Sequence, residues 1–474
     1  MGYFNDYYAP AYYEDTDLAF RVRAQGRKVY FQPASVIIHH EGISHGTDIG
    51  TGIKVAQAVN RHKFCAEWRS VLERDHFHNG ENVFWARDRS MGKACVLLVE
   101  HYVPEPDRDA GSRAIVHLME LLLEMGCNVK FWPHNYGGDI AYKVALQQLG
   151  IEVYCGTEYA GKFQEWFRGN GQHVDYAVLS RPDVAMCYLD TIRANSRARI
   201  LYYGHDVHHL RLKEQLKACP DDSFIRKEQR RYENLERSIW EAVDGVYYPS
   251  NSETECVSEW PKGRGGRACA RTVPLYGFES FPHCDGGDLR KRHGIMFVAG
   301  FGHLPNVDAA VWLVKDIMPR LWRRYPGLHL SLVGSSPTGD VRDLENDKVT
   351  VTGFVSEEEL VQRYYETRVA IAPLRFRAGM KGKVIEAMRY GVPIVTTPTG
   401  LQGFGSLSDC IPCSDDADVL ANEVVRLVED DAYWRATSHC ESLYVRRHFS
   451  RSALRQVIEE DINVRATEEL RAHT

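Results

Sequence analysis

The chain has 474 residues, more than one ordinary domain holds, so two or three domains are expected. It is 44% hydrophobic and 26% charged, with a net charge of −6 and both signs interspersed. That composition is globular and excludes a nucleic-acid binder that works through a broad basic surface. No apolar run reaches the ~18 residues of a membrane span, and the N-terminus lacks the apolar stretch of a secretory signal. The 12 cysteines are scattered, and Cys95 and Cys127 lie in strand-like runs, which fits reduced, buried thiols in the cytosol. Cys410-Ile411-Pro412-Cys413 has no second pair and no nearby histidines, so it does not read as a metal or redox motif.

Residues 1–55 do not read as a complete domain, being too few to bury a core. Glu14-Asp15-Thr16-Asp17 is an acidic turn entering an amphipathic helix, capped by Asp15 or Thr16 and closed by Gly26. Residues 28–31 read as a strand, and His39 and His40 follow. Helix capping alone would account for Glu14 and Asp15. Residues 56–92 are polar and mixed and read as a linker with some helix.

From Lys93 the pattern becomes strand–helix alternation, with strand-like runs at 95–99, 128–132, 151–154, 176–180, 200–203 and 245–248. Such alternation predicts a parallel sheet covered on both faces. After the first run, a loop rich in Pro and Asp opens onto a helix at about Gly111-Ser112. Loops at the carboxyl ends of strands bind ligands in open α/β sheets. The run at 200–203 leads directly into Gly204-His205-Asp206, with His208 and His209 just beyond. His205 is a candidate substrate contact, while Asp206 can simply cap the next helix.

The alternation restarts at residue 295 with Ala299-Gly300-Phe301-Gly302, followed by Pro305 and Asn306. Gly300 and Gly302 permit close backbone approach to a phosphate or ribose. Runs at 328–333, 349–351, 369–372 and 394–397 continue the series. The most informative stretch lies between the last two. It holds Arg375, Arg377, Gly379, Met380, Lys381 and Lys383, then a short helix ending at Gly391. Lysines at a helix start oppose its dipole by about 0.3–1 kcal/mol each. An anion bound by the free N–H groups and the lysines removes that conflict. Glu386, one turn in, can accept hydrogen bonds from a diol beside that phosphate. Phosphate next to a diol describes a nucleotide or a nucleotide sugar.

The pattern Gly379-x-Lys381-x-Lys383-x-x-Glu386-Ala387-Met388-x-x-Gly391-x-Pro393, followed by Thr399-Gly400-x-x-Gly403, resembles the donor-site segment of glycosyltransferase family 4. The resemblance covers about residues 93–450. It implies the α/β GT-B fold, with an acceptor-side domain at 93–280, a nucleotide-sugar domain at 281–450 and a C-terminal helix at 451–474. It further implies transfer from a nucleotide-diphospho sugar to a saccharide or lipid-linked acceptor, usually with retention. Glu386 would hold the ribose, Lys381, Lys383 and Arg375 the diphosphate, and His205 would lie beside the sugar. Gly111, Ser112, Gly302, Asn306, Gly353, Phe354, Gly379 and Met380 would complete the donor site. The family's first acidic residue falls at Ala378, which has no carboxylate.

Residues 1–55 resemble the C-terminal end of a glycosyltransferase family 2 domain, with Glu14 and Asp15 at its acidic motif and His39 at its late histidine. Such a domain needs a first half with a metal motif, so this segment is expected to be catalytically silent. That implies either a piece of a longer bifunctional enzyme or a displaced chain start. A divalent metal would be needed only by a complete family 2 half. The expected setting is the cytoplasm, at most peripherally attached to the inner face of a membrane, in polysaccharide synthesis. A nucleotide-binding scaffold without turnover, or another GT-B enzyme such as an epimerase, are the alternative readings.

Overall fold

The computed structural model describes residues 2–463, apart from 33–34, 39–49, 88, 90, 219, 261–268, 283–288, 377–378, 406 and 408–410. The chain forms two compact units that divide between Gly92 and Lys93.

The described part of the first unit is helical, with its main helices at Glu14–Ala24, Val55–Glu67 and Arg69–Asp75. Tyr8, Phe20 and Phe64 make its small core, with Phe20 and Phe64 edge to face at 5.0 Å. The buried Asn60 amide donates to the carbonyls of Tyr8 (2.6 Å) and Ala11 (2.8 Å). Helix Val55–Glu67 therefore packs on the segment before it, where the sequence suggested a linker. Buried Asp17 is held by Arg21 (2.7 Å) and the Trp68 indole N–H (2.9 Å). Neither Asp15 nor Thr16 caps the first helix. Tyr13 is the capping residue, with φ +74 and no side-chain bond, and Glu14 and Asp15 fall inside the first turn. Acids there still face the positive helix end favourably. Gly26, at φ +73, closes the helix as expected. The strand expected at 28–31 does not form, and the described residues of this unit contain no strand. A short β-branched and aromatic run makes a strand only when a neighbour completes the hydrogen-bond ladder. His39 lies outside the described residues.

The second unit contains two parallel sheets. The first holds β1 (Cys95–Glu100), β2 (Asn128–Pro133), β3 (Glu152–Val153), β4 (Tyr176–Ser180), β5 (Arg199–Tyr203), β6 (Gly245–Tyr248) and β7 (Cys269–Thr272). Its strand order is 3-2-1-4-5-6-7. The second holds β8 (His293–Val298), β9 (Leu330–Val333), β10 (Val349–Gly353), β11 (Thr367–Ala372) and β12 (Ile394–Thr396), in the order 10-9-8-11-12. Central strands such as β1 and β11 are buried along their whole length, which is why they read as unbroken apolar runs. The sequence reading missed β7 because Cys-Ala-Arg-Thr is a half-exposed edge strand with no apolar run. The chain order reverses between β1 and β4 in one sheet and between β8 and β11 in the other. The carboxyl ends at such reversals open the crevice in which ligands bind.

The last described helix, Arg451–Glu459, packs on the first sheet, where Leu454, Ile458 and Ile462 join the core. Asp461 accepts from the Tyr247 hydroxyl (3.0 Å) and Arg271 Nε (2.6 Å), and also pairs with Arg199. Among the described cysteines, 95 and 127 are free and buried, whereas Cys440 is disulfide-bonded, contrary to the reading of reduced thiols throughout. Scattered sequence positions do not reveal which sulfurs meet in space.

Candidate active site

Helix Gly382–Arg389 follows β11 through a loop in which Gly379 has φ +78. Val384, Ile385 and Met388 are buried, and Gly391 at φ +65 ends the helix. Val392 N–H then bonds Ala387 O (3.0 Å) and Gly391 N–H bonds Met388 O (3.1 Å), the paired bonds of a glycine-terminated helix. The start of the helix is chemically open. Lys381 caps it in extended backbone without a side-chain bond to the helix N–H groups, and its first turn has no acid. Lys381 is nearly fully buried, with Nζ donating to the Gly379 carbonyl. Lys383 Nζ donates to Asn306 Oδ1 (2.7 Å) and lies over the Phe297 ring at 4.8 Å. Asn306 is fixed by its amide bond to Gly300 O (2.7 Å).

These groups face a cavity of about 290 Å³ between the two sheets. Gly302, Asn306, Phe354, Met380, Lys381, Lys383 and Glu386 line it from the second sheet's side. Asp109, Ala110 and Arg113 line it from the first. The two helix starts nearly touch: a Cβ on Gly382 would lie 2.2 Å from the Tyr276 hydroxyl and 3.4 Å from Ala110 Cβ. Arg113 spans the gap, donating to Glu386 Oε1 (2.8 Å), Glu357 Oε2 (3.1 Å) and Pro106 O (3.0 Å). The Glu386 charge, against the opposing effect of burial, moves the Arg113 guanidinium further up. The sequence reading did not single out Arg113, although it lies in the first turn of the helix that opens at Ala110.

Several expected site residues lie elsewhere. Arg375 pairs with Asp308 (2.8 Å) over the Trp312 ring, so its charge is engaged outside the lysine pair. Gly353, at φ +71, ends β10 and does not line the cavity, though its neighbour Phe354 does. Ser112 is occupied by capping: its N–H and hydroxyl bond the Asp109 carboxylate at 2.8 and 2.6 Å. Gly111 and Gly379 lie behind the cavity wall. A Cβ on Gly111 would stand 3.3 Å from His205 Nδ1, and one on Gly379 would stand 3.3 Å from Asp206 Cβ. Arg377 and Ala378 lie outside the described residues. In the first unit, Glu14 Oε2 is buried with no partner among the described residues, and Asp15 Oδ1 accepts from Thr16 N–H (2.6 Å).

His205 follows β5, and its Nε2 lies 2.9 Å from Ser180 Oγ and 3.1 Å from Glu100 Oε2. Glu100 ends β1 and is buried, with Arg181 Nε on its other oxygen at 2.5 Å. Burial would push the Glu100 carboxyl up, but the His205 hydrogen bond and the Arg181 guanidinium outweigh it and hold it well below the usual range. Arg181 has φ +61, a strained position for a non-glycine residue at a strand end. Glu100 could have been found as the one acid closing an apolar strand. Asp206 is not a simple cap, since it binds Arg211 (2.8 Å) and His208 (3.0 Å). Burial opposes charge on His208 and His209, yet their acidic partners prevail and raise each to about 9. Asp206 and Glu236 act on His208, and Glu236 with Cys256 on His209. Glu253 is buried beside Asp206, and burial raises its carboxyl to about 7.

Residues 292–430, under half of the chain, match the family model for glycosyl transferases group 1. The whole second unit has the fold of GT-B glycosyltransferases. Sucrose-phosphate synthase of Thermosynechococcus elongatus superposes with a TM-score of 0.59 at 18% identity, covering 81% of this chain and 100% of that one. HepE of Anabaena, in complex with UDP and glucose, gives 0.57 at 15% identity over 77% and 98%. The α,α-trehalose 6-phosphate synthase of Burkholderia multivorans gives 0.53 at 12% identity over 80% and 99%. In sequence, an uncharacterized 44.6 kDa protein in the cps region of Klebsiella pneumoniae is 24% identical over 119 residues. That match spans 24% of this chain and 31% of the relative's length.

Proposed function

We propose that this protein is a glycosyltransferase of family 4 that takes its sugar from a nucleotide-diphospho sugar. The observation that carries the reading is the open start of helix Gly382–Arg389, with Lys381, Lys383 and Glu386 on one cavity between two parallel sheets. Lys381 and Lys383 hold the diphosphate and stabilise its charge as the glycosidic bond breaks. Glu386 holds the ribose, with Gly302, Asn306, Phe354 and Met380 around the donor. His205 serves the sugar from the first lobe, which also takes a saccharide or lipid-linked acceptor. Retention by attack on the face the leaving phosphate departs from is the family's usual course and is proposed here too.

The boundaries proposed are 93–280 for the acceptor lobe and 281–450 for the donor lobe. Residues 1–55 are proposed to be the silent end of a family 2 domain, supported by the acidic start of helix Glu14–Ala24. No helix among the described residues is long and apolar enough to cross a membrane. Peripheral attachment at the cytoplasmic face is proposed for use of a lipid-linked acceptor. The cps-region relative supports a role in polysaccharide synthesis, and the UDP complex of HepE makes UDP-glucose the first donor to try. Release of UDP from UDP-glucose in the presence of saccharide acceptors is the expected result. Binding of UDP without turnover or donor hydrolysis, across a panel of nucleotide sugars, would favour a non-catalytic scaffold.

A further inference from the structure

Two buried groups and one half-buried one, from three adjacent strand ends, meet at the first sheet's reversal point. Glu100 closes β1, Ser180 closes β4 and His205 follows β5. Protons in this cluster can be assigned. Arg181 Nε and the His101 N–H both donate to Glu100 Oε1, at 2.5 and 2.7 Å. Ser180 Oγ lies 2.5 Å from Glu100 Oε2, a separation that two oxygen atoms reach only with a proton between them. An ionised carboxylate has no proton to give, so the serine donates. His205 Nε2 then faces two oxygens, Ser180 Oγ and Glu100 Oε2, that can only accept. Nε2 must carry a hydrogen.

The other ring nitrogen has the opposite surroundings. Nδ1 is buried with no hydrogen-bond partner among the described residues and abuts Gly111, the second residue of helix Ala110–Glu124. The Asp109 carboxylate that caps this helix offsets its positive end, so what decides the ring is that an N–H at Nδ1 would be buried with no described acceptor. Asp109 and Ala110, on either side of this turn start, line the cavity.

We propose that Glu100 is a positioning residue that fixes His205 in its Nε2–H tautomer, leaving Nδ1 as a bare acceptor behind the cavity wall at Gly111. A sugar hydroxyl reaches this lone pair only where the turn at Gly111 moves aside, since Nδ1 itself has no exposed surface. Only this last statement rests on the transferase reading; the tautomer stands on the geometry of the cluster.

The test is the long-range proton–nitrogen NMR correlation of the His205 ring in the full chain with ¹⁵N-histidine, assigned by its loss in His205→Gln. The wild type is expected to show the Nε2–H tautomer, and an Nδ1–H ring would overturn the proposal. Glu100→Gln places an amide that can donate to Nε2. It is expected to shift the ring towards Nδ1–H and lower kcat at least tenfold, with UDP affinity within twofold of wild type. An unchanged tautomer in Glu100→Gln would refute the role of Glu100. Should that variant lose UDP binding through misfolding, Ser180→Ala decides, because Glu100 still accepts from Nε2–H and the tautomer must persist. A wild type with the expected tautomer but no turnover on any nucleotide sugar refutes the transferase reading and leaves the tautomer assignment standing.

Discussion

Replacing Lys381 and Lys383 together by methionine tests the proposed phosphate cradle most directly. Methionine keeps most of the stem volume of nearly buried Lys381, so the core under helix Gly382–Arg389 is preserved. In the free protein the change is close to neutral. Each lysine opposes the helix dipole by about 0.3–1 kcal/mol, which offsets the loss of the bonds from Lys383 to Asn306 and from Lys381 to Gly379. With a diphosphate bound, each lysine contributes a charge-assisted hydrogen bond worth about 1.5–3 kcal/mol. The pair therefore contributes about 3–6 kcal/mol, and at 1.4 kcal/mol per decade the Kd for UDP rises about 10²–10⁴-fold. Isothermal titration at fixed ionic strength measures this. A second readout is thermal unfolding, where UDP at a hundredfold excess over the wild-type Kd stabilises the wild type by about 2.7 kcal/mol and the variant by about 0.4 kcal/mol at most. A folded variant that binds UDP within threefold of wild type refutes the reasoning.

Glu386→Gln removes the carboxylate that faces Arg113 and the proposed ribose. UDP affinity should fall about 10–100-fold, at about 1.5–3 kcal/mol for a charged hydrogen bond, while inorganic pyrophosphate, which has no ribose, binds as well or better. Equal losses for both ligands would contradict the ribose assignment. Asp461→Ala leaves Arg199, Arg271 and the Tyr247 hydroxyl without their shared acceptor. The expected cost is about 3 kcal/mol in chemical denaturation, the low end for a broken buried pair because Arg199 keeps solvent contact. A loss under about 1 kcal/mol would show that the C-terminal helix is held by its apolar face and by Arg451, with Asp461 contributing little. His208 and His209, raised to about 9 from an ordinary 6.5, stabilise the fold fully below pH 6.5. That contribution is lost as pH rises through about 9, so Tm should fall across this window and the fall should flatten in Glu236→Gln. Gly334→Ala should prevent folding of the second lobe, since a Cβ there would stand 1.9 Å from the Ala299 carbonyl oxygen at φ +146. Soluble, cooperatively folding protein would contradict that.

The sequence alone determined the alternation of buried parallel strands and helices, because strands covered on both faces must be apolar throughout. It also located the Lys381–Lys383–Glu386 unit, because a helix start and its glycine stop are local features written in adjacent residues. Local chemistry without a partner misled it. Residues 28–31 have the β-branched and aromatic residues of a strand but no ladder to join, and Asp15 has the chemistry of a cap but falls two positions too late. Tertiary structure alone decided which charges meet. Arg113 reaches Glu386 across 273 positions, and Glu100, Ser180 and His205 converge because β1, β4 and β5 lie side by side. It also drew Arg375 away to Asp308. Periodicity is a property of neighbours along the chain, whereas a hydrogen bond between strand ends depends on strand order, which no local pattern encodes.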